Sequence, residues 1–190
     1  MVGIAQLVSA SDCGSEGRGF ETHHSPQSDL HFCKSLFLLY TIMKFIENKT
    51  YTGIIAAETP LEKAEYVDCV FENCDFSNAF LNNYEFEECQ FINCNFSLCN
   101  VANTSFRTVQ FEGCKMMGVN FTKIKDFLCS MHFTNCNLNF ALFTDLPVKG
   151  LIFEHCNLQQ ADFSQADITG SSFVETLCVL IKLLYLCTRK

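Results

Sequence analysis

The chain has 190 residues, 48% of them hydrophobic, which leaves room for one domain with a sizeable core and excludes wholesale disorder. Only 9 Gly and 3 Pro exclude collagen-like and Pro/Gly-rich classes. With Lys+Arg 13 against Asp+Glu 21 the net charge is −8, which argues against a nucleic-acid backbone or an anionic membrane as a direct partner and points to a basic protein surface.

Residues 1–42 show no period. Their Gly14 to Glu21 stretch, followed by His23, His24 and Pro26, resembles conceptual translation of a transfer-RNA gene. They read as a disordered leader or a gene-model extension, with Met43 as the natural start and 43–60 as an N-terminal cap. The apolar run Leu36 to Met43 follows 35 residues of mixed composition, which is wrong for a secretory signal, and it is far short of the about 20 residues a membrane span needs. The 13 cysteines are therefore expected as free thiols in a reducing, cytoplasmic compartment.

From Leu61 a large apolar residue recurs at every fifth position through Phe121, and the series resumes, after a two-residue shift, from Phe133 to Phe173. A small or thiol-bearing residue often sits two places earlier, as at Cys69, Cys74, Cys94 and Ala161. Five is neither the helical nor the strand period. The hexads starting at Phe71, Phe91, Phe111, Phe133 and Phe153 add a second period of 20 residues, once 22, so four pentads close one turn of a four-sided coil. Stacked coils then place the Phe residues in one interior column and Cys74, Cys94, Cys114, Cys136 and Cys156 in another. Gly113 faces outward and is expected to accept Ala unless its φ is positive.

Stretches such as Cys74-Asp75-Phe76-Ser77-Asn78 and Ala161-Asp162-Phe163-Ser164-Gln165 resemble the pentapeptide-repeat family. That resemblance, over 61–173, implies an all-β fold, a right-handed quadrilateral β-helix. The phase is expected to break after Phe173, where Thr176 replaces a thiol. Residues 174–190 read as a short amphipathic C-terminal helix that caps the coil, and the resemblance implies that the same segment is a candidate dimerisation element for a homodimer.

The thiols recur at 5 or about 20 residues, unlike zinc sites, and structural packing is the expectation for them. Cys129, outside the columns, is expected to be the most reactive thiol of the rod. The histidines, including His132 and His155, have no partner motif, and neither a phosphate loop nor a nucleophile with its base occurs. No catalytic, metal-binding or cofactor-binding residues are expected.

Two surface features remain. Glu72, Glu112 and Glu154 share one outward column, placed to imitate spaced phosphates. At the phase shift Lys123, Ile124, Lys125, Asp126 and Phe127 leave the pentad, so a bulge is expected there, with Ile124 and Phe127 offering an apolar contact flanked by charge. The resemblance to the quinolone-resistance (Qnr-like) branch of the family implies a non-enzymatic acidic rod that binds a type II topoisomerase, DNA gyrase or topoisomerase IV, as a DNA mimic. The alternative is a generic protein-interaction scaffold.

Overall fold

The computed structural model describes residues 44–147 and 149–182. The leader and the end of the chain beyond Lys182 lie outside the described residues. Among the described residues eleven short strands follow one another. Strands β1 (Lys44–Glu47), β3 (Ala64–Val67), β5 (Glu85–Glu87) and β7 (Ser105–Arg107) form one parallel sheet in that order. Strands β2 (Thr50–Thr52), β4 (Val70–Glu72), β6 (Gln90–Ile92), β8 (Val109–Glu112), β9 (Met131–Thr134), β10 (Ile152–Glu154) and β11 (Ser172–Val174) form a second. The remaining two faces are joined by single bridges such as Asp75↔Asn95 and Asn120↔Leu142. Each residue thus pairs with the one 20 places on, or 22 across the shift, as in Phe91↔Phe111 and Phe111↔Phe133.

The described coils start at Lys44, where β1 and β2 already pair with β3 and β4 inside the stretch read as a cap. At the other end the expected phase break is absent. Leu177 bridges Asn157 and Lys182 bridges Asp162, so residues 174–182 continue the coil and the expected C-terminal helix does not form over them. Thr176 keeps the solenoid going because its hydroxyl does what the thiols do: it donates to the Phe153 carbonyl at 3.2 Å. Residues 183–190 lie outside the described residues.

The interior is a set of ladders. Phe71, Phe91, Phe111, Phe133 and Phe153 are all at most 1% exposed, with successive rings stacked 4.7 to 5.2 Å apart within 11° of parallel. Rungs about 4.8 Å apart impose that spacing, and offset stacking suits the ring quadrupoles. Rings on neighbouring faces meet edge-on instead, as Phe86 and Phe91 do at 79°. Phe173, assigned to the interior, stacks on Phe153 but is 36% exposed, since it closes the described column. In the thiol column Cys94, Cys114, Cys136 and Cys156 donate to the carbonyls of Phe71, Phe91, Phe111 and Phe133 at 3.2 to 3.3 Å.

The corners explain the rest of the pentad. Nearly every pentad has one residue at positive φ, and seven of them are Asn, the side chain that best tolerates that region after Gly. Asp75, Asn95, Asn137, Asn157 and Asp162 each accept a hydrogen bond from the N–H two residues on, fixing the turn locally. Gly113 is one of the corner residues, with φ +62, and a Cβ there would collide with Asn93 Oδ1, so the exception foreseen for it applies and Ala is not tolerated.

Candidate functional site

The two-residue shift ends the first sheet. Lys125 still pairs in register with Ser105, its N–H donating to the Thr104 carbonyl. The chain then swings out at Phe127 and Leu128, which are 74% and 67% exposed, and returns at Ser130, whose N–H donates to the Phe106 carbonyl. The extra residues are thereby expelled and the second sheet passes through undisturbed.

The bulge divides the residues that the sequence grouped. Phe127 projects into solvent, but Ile124 turns into the core at 9% exposure, so the expected paired apolar contact does not form. Lys125 folds back onto Glu85, Lys123 borders a hollow beside Leu98 and Gly118, and Asp126 is exposed. Cys129 is half-buried against the core, and burial, with the Asp126 charge nearby, pushes its thiol up to about 12. It is nonetheless the one described cysteine of residues 61–173 that is not fully buried. The exposed thiol among the described residues is Cys178.

Glu72, Glu112 and Glu154 do lie in one column, at the ends of β4, β8 and β10, with Ile92 and Thr134 on the rungs between. Glu154 is 3.4 Å from His132 Nε2, whereas Glu72 and Glu112 have no cationic partner among the described residues. The column is thus a set of outward carboxylates two rungs apart.

A denser carboxylate group, which the sequence reading did not single out, lies on the adjoining face. Glu65 and Glu85 are register partners, and Glu87 aligns with Arg107. The Arg107 guanidinium reaches Glu65 and Glu87 at 2.7 Å and Glu85 at 3.6 Å, while Lys44 pairs with Glu62. Asp68 and Glu88 occupy the next corner at positive φ. The 20-residue spacing of Glu65 and Glu85 is the signal that would have found this group. Among the described residues no cluster of three His, Cys, Asp or Glu could hold a metal ion.

Comparison with known proteins agrees with this architecture. A family model described as a pentapeptide repeat region matches residues 64–126, and one described as pentapeptide repeats matches 153–176. No curated protein sequence matches the chain. Among solved structures, trypsin-treated QnrB1, a plasmid-mediated fluoroquinolone resistance protein, is 20% identical over 74% of this chain and 84% of that one, with a TM-score of 0.37. The pentapeptide repeat protein Rfr23 from the cyanobacterium Cyanothece 51142 is 11% identical over 77% and 98%, with a TM-score of 0.35. With its period of five, its four-sided coil and the two matched segments, the chain carries pentapeptide repeats over residues 64–126 and 153–176.

Proposed function

We propose that this chain is a non-enzymatic acidic rod that acts in the cytoplasm by occupying the DNA-binding surface of a type II topoisomerase, gyrase or topoisomerase IV, and protects that enzyme from quinolones. The observation that carries the reading is the alignment of carboxylates on two adjoining faces, Glu72, Glu112 and Glu154 on alternate rungs of one and Glu65, Glu85 and Glu87 on two consecutive rungs of the other. Residues 61–173 hold 14 Asp/Glu and six Lys/Arg, a net −8. Spread over about five and a half rungs of ~4.8 Å, that is about one net charge per 3.3 Å, roughly half the axial density of duplex DNA. A cationic groove that steers DNA would steer such a rod as well. Phe127, projecting from the bulge, supplies an apolar contact beyond the electrostatic one.

The generic scaffold is favoured by a different observation: Arg107 and Lys125 neutralise part of the acidic face. Supercoiling and quinolone-induced cleavage by gyrase and topoisomerase IV, with and without the full chain, separate the two. Drug-stabilised cleavage is expected to fall as the chain is added. Failure to bind either enzyme at low salt leaves the scaffold reading.

A further inference from the structure

One edge of the rod is unlike the others. The corner between the bridged faces is built by Asn78, Leu98, Gly118, Phe140, Gln160 and Leu180, and the N–H of each of the first five donates to the coil that follows. Three of these, Leu98, Phe140 and Leu180, are bulky apolar residues held at φ of 57° to 62° and left 54% to 72% exposed. The backbone there favours Asn or Gly, and an exposed apolar side chain returns nothing to the fold. Phe80 extends the same edge at 76% exposure, beside a hollow of about 340 Å³. Further hollows of about 300 Å³ lie beside Leu98 and Gly118 and about 290 Å³ beside Phe140 and Gln160.

Over the four central rungs the order of projections and smaller corners is self-complementary. Numbering the six rungs from Asn78 to Leu180, projections stand on the first (Phe80), second (Leu98), fourth (Phe140) and sixth (Leu180), and the smaller or polar corners Gly118 and Gln160 occupy the third and fifth. An antiparallel second copy, related by a two-fold axis crossing between the third and fourth rungs, sets Phe140 over the partner's Gly118. It also sets Leu98 over the partner's Gln160 and Phe80 against the partner's Leu180. An isologous contact needs this kind of self-match.

Charge selects the same edge. Its outward positions carry few charges, and Lys182 there pairs with Asp162. The two acidic faces, Glu65 to Glu88 and Glu72 to Glu154, lie on the other side of the coil, so two chains of net −8 approach with least repulsion here.

We propose that this edge is a side-by-side interface for a second copy of the chain, distinct from the C-terminal segment and leaving both acidic faces free. Sedimentation equilibrium of the full chain at tens of micromolar tests it. A dimer is expected for the native chain. Phe140→Asn and Leu98→Asn place at each corner a residue that accepts positive φ, so these variants should sediment as folded monomers with an unchanged or raised Tm. A native chain that is monomeric at that concentration overturns the proposal, as it would if another part of the chain covered the edge. So does a dimer that survives both substitutions, which would place the contact at the C-terminal end.

Discussion

The Thr176 hydroxyl donates to the Phe153 carbonyl at 3.2 Å, one coil after the Cys156 thiol makes the same contact with Phe133 at 3.3 Å. The column therefore requires a small side chain with a donor, and sulfur is one way to provide it. Cys136→Thr is expected to be milder than Cys136→Val, because the valine leaves the Phe111 carbonyl without its side-chain donor, a difference of about 1 kcal/mol. Urea denaturation of the two variants checks the order.

The stacked rings set the largest core effect. Phe111 lies between Phe91 and Phe133, so Phe111→Ala should cost about 3–5 kcal/mol through the cavity it opens. Its neighbour Gln110 points outward, and Gln110→Ala should change stability by less than about 0.5 kcal/mol. Comparable losses at both sites would contradict the inward and outward assignment.

Thiol accessibility should follow the structure. Under native, reducing conditions Cys178 is expected to be alkylated first among the described cysteines, with Cys129 and the column thiols protected until unfolding. Mass mapping of a timed labelling series reads the order.

Alkaline pH should destabilise the rod. Burial pushes the Cys89, Cys99 and Cys129 thiols from 9.0 to about 12. The unfolded chain loses these protons first, so their contribution is complete below about pH 9 and is lost as pH rises toward 12. Asp75 and Asp162 act at the opposite end. Hydrogen bonds from Ser77 and Ser164 hold their carboxyls below the usual range, and that contribution is present above the ordinary value of 3.8 and lost as pH falls through the depressed one. Thermal midpoints across pH should therefore fall on both sides of a neutral plateau.

Arg107 is the hinge of the acidic face. With its side chain 21% exposed and three carboxylates around it, Arg107→Ala should cost about 1–2 kcal/mol, partly from hydrogen bonds lost by Glu65 and Glu87 and partly from their mutual repulsion. Added salt screens the repulsion, so the deficit should shrink between low and high ionic strength. A deficit independent of salt would assign the whole effect to lost packing.

The sequence by itself determined the coil. Any chain with Phe or Leu every fifth residue and a small residue two places before it must turn four corners to bury both, and the 20-residue echo of Phe71, Phe91 and Phe111 sets which residues stack. It also placed Glu72, Glu112 and Glu154 in one column, because register in a solenoid is a matter of counting. What the count does not contain is the path of the chain where the period lapses. Only the tertiary structure decided that Phe127 swings out while Ile124 turns in, since the register of Ser105 with Lys125 holds one residue inside and leaves the surplus to bulge. The end of the chain was decided in the same way: Thr176 and Leu177 look like a break by composition, but the preceding coil offers the Phe153 carbonyl and the Asn157 edge, and a neighbour already folded is a stronger template than a short stretch's helical pattern. Arg107 gathers Glu65, Glu85 and Glu87 for a similar reason, as residues up to 42 places apart become neighbours only once the coils are stacked.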